Sequence, residues 1–359
     1  MWGDIMLKIN VKYVFQSFFA LFVVYIYFCN SIYITRYVKE ALFMCYNTVI
    51  PALFIFMVLT IFLSDRDIGR FIGIPFLPLF RLLKIRSLKM VSYCVLSILG
   101  GFATGGYFLN KAKEENICED NAIGIMSILA GNNSPAFVIT AVGTNMLGHF
   151  QSGIMLYFSI LISSFITAFI FSFLYPYSVI ENTAADRIEH IDFVYSLNRA
   201  VTCMINICGA VIFSYSVCKV ISLYTENIVI SSLFSAFFEV TTACKIITEN
   251  IGNNLYFLCF ALSICPLSTC LQLKGCGKST PVSLNILLIS KLVHIPLSML
   301  ILRTAVNLFP QSFAVYASGD INVNMYWNTP QLSCCFLILS ICFVIFFDKK
   351  IGVFTKSFK

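Results

Sequence analysis

Inside the apolar stretch from Ser127 to Gly148 the chain sets Gly131-Asn132-Asn133-Ser134-Pro135. Pro135 has no N–H to bond back to Gly131, and the three polar side chains offer donors and acceptors at the same level. A freed backbone beside amide groups can bind a polar solute. A kinked helix whose amides cap its own backbone, or bond to a neighbouring helix, would use the same residues. A second interruption, Gly100-Gly101-Phe102-Ala103-Thr104-Gly105-Gly106, holds four glycines. They allow the tight tip of a re-entrant hairpin, and helix packing through small residues fits the spacing as well.

Ionisable residues in apolar surroundings are expensive and functional by default. Glu239 follows an aromatic run, with Thr241 and Thr242 close behind. Deep in the protein it would be a binding or coupling group; at the surface it would only solvate an amphipathic helix. Lys291 and His294 stand three apart, on one face of a helix. Together they would present positive charge to an anion, unless Lys291 snorkels beside a hydrogen-bonded histidine.

The elements that must position these residues belong to a bilayer. The chain is 59% hydrophobic and 11% charged, against roughly a quarter charged in soluble domains. Eight apolar runs approach the roughly 20 residues that cross a membrane: Val11 to Asn30, Ala41 to Leu63, Met90 to Leu109, Gly153 to Tyr175, Leu197 to Tyr224, Leu255 to Leu273, Pro281 to Leu302 and Leu332 to Phe347. The expectation is an all-α polytopic membrane protein with about eight membrane segments, including re-entrant hairpins and broken helices. It divides into an N-terminal helix (1–40), a first repeat (41–176), a loop and helix (177–227), a second repeat (228–303), and an external loop with a C-terminal helix (304–359).

The net charge of +7 is carried by residues flanking apolar runs, which marks topology and not nucleic acid. Arg66, Arg70, Arg81, Lys84, Arg86 and Lys89 crowd one connection, and Lys349, Lys350, Lys356 and Lys359 the C-terminus, whereas Val306 to Thr329 has no Lys or Arg. Both termini are therefore expected in the cytoplasm of a multi-pass cell-membrane protein. The charges of Lys111 to Asp120 leave its side open. A cleaved secretory signal finds no small-x-small site after the first run, so that helix is expected to stay. Of 15 cysteines none lies in Cys-x-x-Cys spacing, so small buried hydrophobes are expected and no metal site. No polar connection is long enough for a soluble core.

The second half repeats this grammar weakly. Aligning Thr104 on Thr269 sets Leu99 to Thr104 against Ile264-Cys265-Pro266-Leu267-Ser268-Thr269, with Pro266 as breaker, and Ala52-Leu53-Phe54 matches Ser232-Leu233-Phe234. Interrupted segments at corresponding places in two halves point to a transporter site at a repeat interface, hence the expectation of two pseudo-repeats.

In order, Pro51-Ala-Leu-Phe, Gly101-Phe-Ala-Thr-Gly105-Gly106, Asn133-Ser-Pro-Ala-Phe137 with Val142-Gly143, Glu239-Val-Thr, Leu267-Ser268 with Gln272, and Lys291-Leu-Val-His294 resemble the sporulation integral membrane proteins of the nucleoside-recognition (Gate) domain family. The resemblance spans about Pro51 to His294 and lies in the order of six short motifs. It implies kinship with concentrative nucleoside transporters: two repeats, each with a re-entrant hairpin and a partly unwound helix around a central solute site. Three positions depart from the family's pattern. Gly-Tyr-Pro is usual where Gly101-Phe102-Ala103 stands, glycine in place of Ala243, and a glycine pair in place of Cys265-Pro266.

The resemblance further implies movement of a small polar metabolite during spore formation, with export of dipicolinate the associated role. For that planar dianion, Thr104, Asn132, Asn133, Ser134, Ser268, Thr269 and Gln272 would donate hydrogen bonds, and Lys291 and His294 would supply charge. Glu239 fits an anion only if protonated, paired with a lysine such as Lys291, or carrying a coupling proton; a sodium ion is the other coupling candidate. A homo-oligomer is compatible with the sequence, and no cofactor is expected. Two other classes compete. An enzyme lacks support, because His149, His190 and His294 are scattered. A nontransporting assembly factor, or a nucleoside transporter, is separated from the dipicolinate carrier by solute uptake.

Overall fold

The computed structural model describes residues 11–64, 66–177, 192–224, 227–251, 254–275 and 284–309. The expected C-terminal helix, residues 310–329 of the external loop and the basic C-terminus lie outside these. Among the described residues every element is helical.

The order begins with α1 (Val11–Cys29) and α2 (Ser31–Met44), which continues through a π-helical turn, Cys45–Val49, into α3 (Ile50–Phe62). Pro51 removes an N–H from the ladder, and the π turn just before it is where the bonding re-registers. Two short helices, α4 (Arg66–Gly73) and α5 (Leu77–Leu82), lead to α6 (Leu88–Gly100) and α7 (Phe102–Glu114). Next come α8 (Asp120–Ala130), a π-helix over Ala136–Met146, α9 (Phe150–Leu174) and α10 (Phe193–Ser222). The last part holds α11 (Ile228–Phe238), α12 (Val240–Ile246) with a π-helical turn Ile247–Ile251, α13 (Leu255–Ser263), α14 (Leu267–Gly275) and α15 (Asn285–Leu308).

Among the described residues five helical stretches are long and apolar enough to cross a membrane: Ser31–Phe62, Phe150–Leu174, Phe193–Ser222, Leu255–Lys274 and Asn285–Leu308. Ile205 and Phe173 stand more than half exposed on them, as side chains facing lipid do. The run Met90 to Leu109 is not one crossing. It folds back at Gly101, so that Tyr93 stacks on Phe108 with ring centroids 5.3 Å apart. Farther from the tip, Lys89 Nζ lies 3.1 Å from Glu115 Oε2 and the Tyr93 hydroxyl donates to the same carboxylate.

These contacts put Lys111 to Asp120 on the face of the bundle that carries Lys89, a side the charges alone left open. On that face Tyr177 donates to the Leu83 carbonyl and Asn121 Nδ2 to the Pro176 carbonyl at 3.2 Å. At the opposite face Tyr215 donates to Glu40 and Tyr224 to Asn30 Oδ1, joining the end of α10 to α2. The pair α11–α12 starts from this second face and breaks at Glu239.

The core centres on α9 and α15, which pack on each other and on α8 and α13. The π-helix meets α9 where Gly143 and Gly153 face each other. A Cβ on Gly143 would lie 2.6 Å from the Gly153 Cα, so only glycine lets these backbones meet so closely.

Candidate functional site

Four interruptions face inward. At the first, Gly101 adopts φ 77°, ψ −172°, a conformation essentially reserved for glycine. A Cβ there would sit 2.8 Å from the Ser134 backbone nitrogen, so the fold-back tip rests directly on the second interruption. Thr104 Oγ1 donates to the Gly101 carbonyl at 3.0 Å and holds the first turn of α7. Gly105 lies against the Ala130 carbonyl, and Gly106 against Leu273 with 2.9 Å between a built Cβ and its Cα. The glycines thus serve both purposes that their spacing suggested: a tip and two close helix contacts.

At Gly131 to Pro135 the helix stops. Asn132 Nδ2 donates to the Ile128 and Leu129 carbonyls, each at 3.1 Å, and caps α8. Asn133 Nδ2 donates to the Leu262 carbonyl at 2.9 Å, tying this break to the end of α13. Ser134 Oγ accepts from the Phe137 N–H at 3.1 Å and opens the π-helix. Asn132 Nδ2 has both hydrogens placed and Asn133 Nδ2 one of its two, while Asn132 Oδ1 and Asn133 Oδ1 are buried without partners. Turning either amide over would set oxygen against carbonyl oxygen, so each amide oxygen stays free as an acceptor. Asn132 therefore has no amide hydrogen left for an anion, whereas Asn133 keeps one.

The third interruption is Glu239, buried and extended between α11 and α12. Its carboxylate accepts from Thr241 N at 3.0 Å, Thr242 N at 2.6 Å and Thr242 Oγ1 at 2.8 Å. It therefore caps α12, where the helix dipole favours negative charge. The fourth interruption, Ile264-Cys265-Pro266, separates α13 from α14. Ser268 Oγ, Thr269 Oγ1 and Gln272 Oε1 on α14 are buried and unpartnered.

The first three interruptions, with Gln272 on the helix that follows the fourth, line one cavity. It is lined by Gly100, Gly101 and Phe102 at the first tip, by Ser134 and Phe137, by Glu239, Val240 and Thr241 at the second, and by Gln272. Val49 from the π turn and Leu53 from α3 close it on one side, and Ile207 and Val211 from α10 on another. Of these apolar walls sequence reasoning named only Leu53, within its motif, and the four-residue steps from Val49 to Leu53 and from Ile207 to Val211 were the signal for the rest. The cavity leaves about 20 Å³ for the centre of a water-sized sphere, room for about one water or bare cation. A pocket for a small organic ligand takes roughly 300–1,000 Å³.

Asn132, Asn133, Ser268 and Thr269 sit at the breaks without lining the cavity. Lys291 and His294 stand apart from it, where α15 packs on α9. His294 Nε2 lies 3.2 Å from the Ile160 carbonyl, Nδ1 3.3 Å from the Ser263 carbonyl and 3.5 Å from Lys291 Nζ. In the neutral tautomer that donates from Nε2 to Ile160, Nδ1 accepts from Lys291 and the Ser263 carbonyl takes no hydrogen from the ring. Lys291 and Glu239 do not meet, so an ion pair between them is not what reconciles Glu239 with an anion.

Thiols also gather at the fourth break, with Cys265 and Cys270 Sγ 3.6 Å apart. Among the described residues no group of three or more His, Cys, Asp or Glu could hold a metal ion. Comparison with protein-family models, with curated proteins and with solved structures finds no match to this chain.

Proposed function

We propose that the protein is a membrane carrier for a small polar solute, bound where the two fold-back tips meet the two broken helices. One observation carries this: opposed tips and breaks converge on a cavity beside buried acceptors, Asn132 Oδ1, Asn133 Oδ1 and Gln272 Oε1, that have no partner. Buried polar atoms without partners are costly to stability. A ligand that donates to them offsets that cost.

In this reading the chain holds two pseudo-repeats of opposite orientation. The fold-back α6–α7 pairs with α11–α12, the break Gly131 to Pro135 with Ile264 to Pro266, and α9 with α15. That pairing replaces the alignment of Thr104 on Thr269. We count nine membrane-embedded segments among the described residues, two of them the fold-backs, in place of the eight expected. The face that carries Lys84, Lys89 and Lys113 is then the cytoplasmic one.

The free acceptors and Glu239 favour a coupling cation or proton, or a solute rich in donors such as a nucleoside. A dianion such as dipicolinate, the solute implied by the Gate-domain resemblance for spore formation, then has to draw its positive partners from elsewhere. The small cavity represents a closed state, and loading requires the tips to part. It is also the one observation that favours a nontransporting scaffold.

Binding of dipicolinate and of uridine to purified protein separates these. The carrier reading expects saturable binding of one of them, weakened at least about tenfold, or 1.4 kcal/mol, by Gln272→Met. That change keeps the volume and removes the acceptor. Absence of binding by folded native protein would shift the function to the scaffold.

A further inference from the structure

Arg199 lies within α10 with its Nε buried and unpartnered. Its guanidinium carbon stands 5.4 Å from the centre of the Tyr107 ring on α7. The ammonium of Lys111 stands 5.9 Å from the same ring centre. Two cations thus flank one aromatic ring, and among the described residues no carboxylate accepts from Arg199. Attraction to a ring face is weak beside that of a bidentate carboxylate, which matches the guanidinium fork.

The position connects this cluster to the cavity. Arg199, Cys203 and Ile207 follow one another at four-residue steps, a ridge along α10 that runs about 12 Å to the cavity wall. Gly106, next to Tyr107, lies against Leu273, the neighbour of the cavity residue Gln272. The helices α7, α10 and α14 pack on one another here, on the face that carries Lys89 and Lys113.

We propose that Arg199, backed by Tyr107, is an anion-recognising site at the mouth of the pathway and takes the carboxylate of a small organic acid before it reaches the cavity. This rests on the carrier reading and adds the positive group that the cavity lacks. Discrimination between charged and neutral solutes then lies at the mouth, while the tips handle the cation.

The test is modification of Arg199 by phenylglyoxal in the purified full chain, followed by peptide mass spectrometry, with dipicolinate or neutral uridine present. Dipicolinate is expected to slow modification several-fold and uridine to leave it unchanged, with the protection retained in Gln272→Met. An equal rate with and without dipicolinate would overturn the site, whatever the protein transports. In vesicles, Arg199→Gln is expected to raise KM for dipicolinate about tenfold, the loss of a charge-assisted contact, with kcat little changed, and Arg199→Lys to recover part of it. Unchanged KM in an actively transporting Arg199→Gln protein would also overturn it. If vesicles take up nothing while protection holds, the carrier reading fails and the anion site stands.

Discussion

At the residue scale, the decisive position is Gly101. Its φ of 77° and its contact with Ser134 N make a side chain there unfavourable twice over. Gly101→Ala is expected to cost at least about 1–3 kcal/mol, seen as a lower thermal midpoint in detergent. Gly148→Ala, at φ 67° but with no atom within 4 Å of a built Cβ, should cost less. An equal loss in both would assign the effect to backbone conformation alone. Glu239 invites a second substitution. Glu239→Ala removes the acceptor of three hydrogen bonds and is expected to destabilise α12 by about 0.5–2 kcal/mol, as loss of an N-cap does. Hydrogen exchange of the Thr241 and Thr242 amides would report it. The glycine tip and the Asn-Asn-Ser-Pro break were legible because glycine and proline act on the backbone locally. Which end of each asparagine remains free was not, since that depends on carbonyls such as Leu262, 129 positions away.

At the scale of elements, the four-glycine segment holds α7 against two neighbours. Gly106→Ala would place a methyl group 2.9 Å from the Leu273 Cα. Backbone cannot yield as a flexible side chain does, so α7 and α14 must separate. A loss of about 1–3 kcal/mol is expected, in the range of overpacking, while Gly209→Ala, with open space around it, should be neutral. Thermal unfolding of the two variants side by side checks this. The apolar runs revealed the long helices well, because roughly 20 greasy residues have few other uses. The second fold-back was hidden. Its tip is Glu239, with neither glycine nor proline, and the turn is held by a carboxylate reaching forward to two N–H groups. Matching the halves on threonine therefore aligned a fold-back with a broken helix.

At the scale of the whole molecule, the two fold-backs enter from opposite faces and their tips share one cavity. Cysteine placed at Lys113 and at Glu249, in a background freed of reactive native thiols, is expected to react with an impermeant maleimide from opposite sides of the membrane. Labelling of both from one side would contradict the inverted arrangement. The basic residues marked one face of the bundle, yet neither their number nor their spacing located the cavity, which exists only where distant breaks converge.

The most direct measurement of the central claim is uptake of dipicolinate and of uridine into vesicles containing the purified protein, with imposed proton or sodium gradients. The carrier account predicts saturable, gradient-dependent uptake of one solute by the native chain, reduced at least about tenfold in Gln272→Met at unchanged protein folding. Folded native protein that takes up neither solute, under any gradient and no faster than empty vesicles, would contradict it.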